Sequence, residues 1–331
     1  MSRKISTILV TTLVACIIVA YVLYQKWLPM INQVWDDLLI EIRHADPLYL
    51  VLGILICLAA WWLRGWRYGF IMSRLGYDIS MKKSTACIFV SQTANIVVPA
   101  RLGDFARVFI MNHEYSTKYS EGVSSLIVER VFDIVTVALL GILAIPFVLN
   151  VNHIYIVIFL LILAFGGLFF IFLRYIDKLE SGNRFVQIVL TMLHEIKLVS
   201  LSTRSVLVLG VSSIVIWLLD VMVCTGVVLM FGKEIPVAVI VLAIVIGNII
   251  KAVPLTPGGL GIYEAALTAT FTLLGVPLGI ALLVSVIDHL IKNVITLAGG
   301  IISIYYFGDW VVPSIKKALQ AGSMGGNAPD Q

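Results

Sequence analysis

Residues 253–264 read V-P-L-T-P-G-G-L-G-I-Y-E, and no regular helix can run through them. Pro254 and Pro257 remove backbone donors, and three glycines admit backbone angles that helices do not use. The chain is apolar on both sides, over residues 237–250 and 265–274, yet each run is shorter than the about 20 residues a bilayer-crossing helix needs. The pattern predicts a re-entrant hairpin of two half-helices over residues 236–275. Non-helical backbone at membrane depth survives only where it is buried in protein or lines a watery cavity. The second half-helix opens from the glycines, so its free N–H groups and positive dipole end face that cavity. An anion suits such a position, and broken helices of this kind mark a transporter's binding site.

Composition supports the membrane reading. Of 331 residues 60% are hydrophobic and 13% charged, with a mean hydropathy of +1.03, outside the range of soluble domains. The expected class is an all-α, multi-pass integral membrane protein. Ser2-Arg3-Lys4 precedes a long apolar run, 5–24, without a small-residue cleavage site, which reads as an uncleaved first span. Cys16, Cys57, Cys87 and Cys224 lie inside apolar runs without metal-ligand spacing, so neither disulfides nor a metal site are expected. The net charge of +4 suits basic cytoplasmic loops, and nothing points to nucleic acid.

Charge asymmetry orients the chain. Asp36, Asp37, Glu41 and Asp46 outnumber Lys26 and Arg43 in the first loop, whereas Arg64, Arg67, Arg74, Lys82 and Lys83 surround the next boundary. The first loop is therefore expected outside and the second in the cytoplasm. Trp61, Trp62 and Trp66 in the span 48–72 read as an interfacial aromatic belt. A second hairpin is expected over 84–107, closing with N-I-V-V-P-A-R-L-G-D-F-A-R at residues 95–107. Spans 123–149 and 154–173 follow across a turn at 150–153, then a cytoplasmic amphipathic helix within 175–205 along the inner leaflet. Spans 206–231 and 279–307 flank the hairpin 236–275, and 316–331 reads as a disordered cytoplasmic tail.

The expected architecture is thus about six transmembrane helices plus two re-entrant hairpins, with both termini cytoplasmic. Its divisions are residues 1–47, a first membrane repeat at 48–174, the amphipathic helix at 175–205, a second repeat at 206–315, and the tail. Asn95 and Pro99 of the first hairpin recur as Asn248 and Pro254 of the second. Each hairpin precedes a span charged near its start, with Glu129, Arg130 and Asp133 in one and Asp288, His289 and Lys292 in the other. Entry from opposite sides would make an inverted repeat.

Several charged groups are candidates for a site, each beside a structural alternative. Arg101 and Arg107 flank Asp104 at the first tip, where two guanidiniums can grip a phosphate or else snorkel to the cytoplasm. Glu129, Arg130 and Asp133 share one helical turn, so Arg130 can neutralise the acid at i+3. Glu264 can complement a helix dipole or titrate in the cavity. Asp220 and Asp288 are intramembrane acids that need partners, with Lys251, Lys292 and Arg130 available; Asp288 and Lys292 stand at i,i+4. Catalytic signatures and nucleotide loops are missing, so an enzyme is not expected.

The three motifs N-x-x-x-P-x-R-x-G-D-x-x-R, E-R-x-x-D and P-G-G-L-G-x-x-E occur in this order between residues 60 and 306. The combination resembles the lysylphosphatidylglycerol synthase transmembrane-region family of flippase-like membrane proteins. The resemblance implies translocation of lipids such as aminoacylated phosphatidylglycerol or hopanoid- and polyprenyl-linked lipids. It assigns Arg101, Gly103, Asp104, Arg107, Glu129, Arg130, Asp133, Pro257, Gly258, Gly259, Gly261 and Glu264 to the shared motifs. Asp104 stands where many members carry Glu, and Asp288-His289 stands where an Arg is expected. The family's synthases append a soluble aminoacyltransferase domain that residues up to Gln331 do not include, so the synthase activity is not expected here.

The expected function is a flippase that moves an anionic phospholipid or lipid-linked headgroup between leaflets of the bacterial inner membrane. Arg101, Asp104, Arg107, Arg130, Gly258, Gly259 and Gly261 would hold the headgroup. Glu129, Asp133, Asp220, Glu264, Asp288 and Lys292 would form a polar path or gate. No cofactor is expected, and the partners are membrane lipids, with a second copy or a cytoplasmic lipid-modifying enzyme as protein partner. The alternatives are a proton- or ion-coupled transporter of a small soluble substrate and a non-transporting scaffold.

Overall fold

The computed structural model describes residues 40–98, 101–148, 153–253, 256–308 and 310–311. The expected first span 5–24, Cys16, Pro99, Pro254, the turn residues 150–152 and the tail lie outside these. Two compact units divide the chain, Met1–Asp46 and Pro47–Gln331. Of the first only residues 40–46 are described, helical at 40–43, and all that follows concerns the second.

This unit is all-helical among the described residues. Its first four helices are α1 (Pro47–Arg74), α2 (Met81–Val97), α3 (Asp104–Tyr115) and α4 (Tyr119–Ala144). Then come α5 (His153–Tyr175) and α6 (Arg184–Ser200). The last four are α7 (Thr203–Met230), α8 (Val237–Ala252), α9 (Ile262–Leu273) and α10 (Leu278–Phe307). The lengths of the first four run 28, 17, 12 and 26 residues, and those of the last four 28, 16, 12 and 30. A long–short–short–long order therefore occurs twice, and in each set the break falls at one of the two predicted hairpin tips.

Helices α1, α7 and α10, together with residues Ile156–Lys178, are long and apolar enough to cross a membrane. Helix α4 has the length of the expected span but carries Glu129, Arg130 and Asp133 in one turn, whose partners lie inside the protein. The two sets interlock. Helix α1 packs along α7, α2 packs on α10, and α8 packs on α4. Small residues permit this closeness, as expected where helices associate without a hydrophobic driving force. A Cβ on Gly65 would lie 1.9 Å from Thr85 Oγ1 and one on Gly300 1.9 Å from Thr93 Oγ1, so α2 is wedged between α1 and α10. Thr93 also donates to the Thr296 carbonyl at 2.8 Å.

Helix α6 begins on an Asn183 cap, whose side chain accepts the amides of Phe185 and Val186. Its N-terminal half exposes Phe185, Ile188 and Val189, three of the apolar positions expected to lie along the inner leaflet. Its C-terminal half departs from that expectation. Ile196 and Val199 join Ile71, Val128, Phe132, Leu173 and Leu209 in one buried cluster, because one apolar stripe reaches both the core and the outer surface.

Candidate functional site

Both hairpin tips are built by residues that tolerate close or unusual backbone. In the first, Gly103 packs against α2, where a Cβ would meet the Asn95 amide nitrogen at 2.4 Å. Arg101 just before it has φ +54°, a left-handed conformation costly for a side chain of this size. In the second, Pro257–Gly259 forms a single 3-10 turn with Gly258, Gly259 and Gly261 at φ +62°, +76° and +81°. Gly258 leans on the first hairpin, its would-be Cβ 3.2 Å from Ile96 Cα, so the tips meet.

Between the tips and helices α1, α4, α7 and α10 lies a cavity of about 180 Å³. That is below the roughly 300 Å³ at which drug-sized pockets begin, and it suits a phosphate-sized group with water rather than a whole lipid. Seven cations line it: Arg64, Arg67, Arg101, Arg107, Arg130, Lys251 and Lys292.

Most of them are already neutralised. Arg67 forks onto Asp133 at 2.6 and 3.0 Å and also donates to Ser213 at 2.7 Å. Arg107 pairs with Glu129 at 2.6 Å and lies over the Tyr68 ring, 4.6 Å from its centroid. Arg64 pairs with Asp220 at 3.0 Å. Arg130 reaches Asp104 Oδ2 at 2.8 Å, while Oδ1 accepts from Ser91, Gln92 and Asn95 on α2. Lys292 holds Asp288 at 2.9 Å, and Tyr263 Oη donates to the same carboxylate. Such pairing is what lets ionised groups persist at membrane depth, where each alone costs about 2.5–3.5 kcal/mol on the insertion scale. Arg101 is different: it has no carboxylate partner among the described residues. Among the described residues Lys251 hydrogen-bonds to His289, Nζ to Nε2 at 2.9 Å, and lies over the Tyr263 ring, 5.1 Å from its centroid.

Of the residues singled out in the sequence, Arg101, Arg107, Glu129, Arg130, Asp133, Asp220, Gly258, Gly259 and Lys292 line the cavity. Asp104 is buried behind Arg130 and ties the start of α3 to α2. Gly261, Glu264 and Asp288 do not line it. Glu264 caps α9 by accepting the Gly261 amide at 2.8 Å and turns its other oxygen to His289 at 2.7 Å.

Three local expectations change. Arg130 bonds Asp104, 26 residues away, and not the acid at i+3, because Asp133 is taken by Arg67. Arg64 and Arg67, read as cytoplasmic boundary charges, point into the protein and neutralise Asp220 and Asp133. Trp61, read with Trp62 and Trp66 as an interfacial belt, is buried against Phe89 with the Arg64 guanidinium over its ring, while the other two stay exposed. Arginine three residues apart in W-L-R-G-W-R was a usable signal, since both fall on one face with Trp61. Trp217 left no such trace, and Lys251, expected as a partner for Asp220 or Asp288, bonds His289 instead.

No solved structure matches this chain. The chain is 29% identical over 312 residues to the glycosyltransferase AglD of Haloferax volcanii, an overlap of 80% of this chain and 50% of that protein. It therefore spans about half the length of that relative. A UPF0104 membrane protein of Methanocaldococcus jannaschii is 27% identical over 64% of this chain and 92% of its own length. Another, from Methanothermobacter thermautotrophicus, is 22% identical over 84% of this chain and 91% of its own. The family model for the lysylphosphatidylglycerol synthase TM region matches residues 8–300, and the chain belongs to that family.

Proposed function

We propose that the protein moves an anionic lipid, a phospholipid or a polyprenyl-linked lipid, between the leaflets of the cytoplasmic membrane, and is not itself an enzyme. The observation that carries this reading is the cavity between two broken helices, in which Arg101 faces the space without a carboxylate. A membrane-embedded array that is one cation in excess favours an anion beside it. Arg101 is the group free to contact it, and the left-handed backbone that holds Arg101 there is the kind of strain that accompanies a binding site. Arg107, Arg130, Glu129 and Asp133 hold the walls in place through their mutual pairs.

A lipid is favoured over a soluble anion by a second feature of α1 and α7. Next to the face that carries Arg64, Arg67 and Trp217, the two helices form an apolar groove lined by Leu63, Trp66, Leu207, Val211 and Val215. A headgroup in the cavity would leave an acyl chain on such a surface. Proteoliposomes with fluorescently tagged phosphatidylglycerol, read by quenching of the outer leaflet, test the proposal. Wild-type protein is expected to speed leaflet exchange and Arg101→Ala to abolish it. Equal exchange by both would remove Arg101 from the path, and none by wild type would remove the lipid.

A further inference from the structure

Seven cations line the cavity, and six carboxylates stand with them: Asp104, Glu129, Asp133, Asp220 and Asp288 directly, and Glu264 through His289. His289 is buried and links Lys251 to Glu264. Glu264 accepts two bonds, from the Gly261 amide and from His289 Nδ1, so the imidazole proton sits on Nδ1. Nε2 is then an acceptor, and the Lys251 ammonium fills it. Lysine, imidazole and carboxylate are neutral together in this arrangement.

Other charged and titratable groups face the trio. Asp288 and Lys292 lie on His289's own helix, Tyr263 stacks on its ring at 4.5 Å, Asp220 lies on α7, and Arg101 stands at the opposing tip. Asp288 is already engaged by Lys292 and Tyr263, and Asp220 by Arg64, so neither is free to neutralise a further charge.

We infer that anion binding in this cavity is proton-linked: Lys251 leaves His289 for the incoming anion, and His289 Nε2 takes up a proton in its place. This rests on the anionic-headgroup reading above. Lysine is a point charge on a flexible stem, able to exchange one acceptor for another. Its stem runs over Gly259, where a Cβ would press within 2.6 Å of Lys251 Cγ. Once Lys251 has turned away, the imidazole keeps its carboxylate on Nδ1 and loses the cation at Nε2, and both favour the imidazolium. A singly charged phosphodiester and one proton arrive together, so the net charge of the buried array does not change. Moved across the membrane in the same step, the pair makes the carrier a proton symporter of its lipid.

The linkage has a defined sign. Uptake of one proton with the anion makes affinity rise as pH falls, by at most about tenfold per pH unit. The test uses the full chain in phosphatidylcholine nanodiscs and glycerophosphoglycerol, a diester that does not itself titrate near neutral pH. Calorimetry in buffers of unlike ionisation enthalpy counts the protons taken up. Wild type is expected to take up close to one proton per diester on the acidic side. His289→Gln is expected to bind the diester as wild type does at alkaline pH, with no uptake, and Lys251→Gln to lose the pH dependence as well. Binding by wild type without proton uptake, or uptake that persists in both variants, overturns the linkage and leaves the headgroup reading standing. Failure of wild type to bind the diester at any pH overturns that reading, and the linkage with it.

Discussion

At the scale of single residues, the site separates charges that hold the protein together from one that does not. Arg107 is 1% exposed, ion-paired to Glu129 and stacked on Tyr68, so Arg107→Met leaves the buried Glu129 carboxylate with only the more distant Arg67 Nε, 3.9 Å away. The expected loss is about 3–5 kcal/mol of stability, read as an earlier thermal transition, with transport falling only because folded protein is lost. Arg101 is the opposite case. Arg101→Gly relieves the left-handed backbone and breaks no ion pair, so the variant is expected to unfold no earlier than wild type while failing to transport. Arg101→Lys keeps the charge and loses the planar fork, and it is expected to transport nearly as poorly as Arg101→Ala. A fully active lysine variant would show that charge alone suffices.

At the scale of elements, the fold depends on where helices touch backbone to backbone. Helix α2 sits between α1 and α10 because Gly65 and Gly300 accept Thr85 and Thr93. Gly300→Ala is expected to push α10 away from α2, and Thr93→Gly in the same chain to restore part of the loss. A double-mutant cycle on melting temperatures measures the coupling, which for residues in contact runs to about 0.5–3 kcal/mol. The first hairpin has a similar pin in Gly103, where a methyl group would collide with the Asn95 amide nitrogen. Backbone cannot move as a side chain can. Gly103→Ala is therefore expected to displace Asp104 from its three α2 donors and to lower stability more than Gly300→Ala does, which parallel thermal melts would show.

At the scale of the whole molecule, the recurring helix order suits two membrane repeats joined by α5 and α6, each repeat packing its hairpin against the long helix of the other. Helix α7 is a 28-residue span, so the exposed sites Asn183 and Glu234, before and after it, are expected on opposite faces of the membrane. Cysteines placed there, in a chain stripped of its native ones, are expected to react with an impermeant thiol reagent from opposite sides. Position 183 should be the cytoplasmic one. Labelling of both from one side would rule out α7 as a crossing helix.

The sequence alone carried the class and the breaks. Hydropathy made the chain an α-helical membrane protein, and proline with glycine stopped two apolar runs short at 97 and 252, because proline lacks the donor that continues a helix and the glycines of the second break take left-handed angles. It also carried the local pair Asp288–Lys292 and the Glu264 cap, which need only neighbouring residues. The pairs that define the cavity span 22 to 156 positions, from Arg107–Glu129 to Arg64–Asp220, and no periodicity encodes such distances. Arg64 and Arg67 near the end of an apolar run look like charges that snorkel to water, and only the packing of α1 on α7 and α4 turns them inward. Which cation remains unpaired is likewise decided by the tertiary structure, because it depends on which partners every other charge has already found.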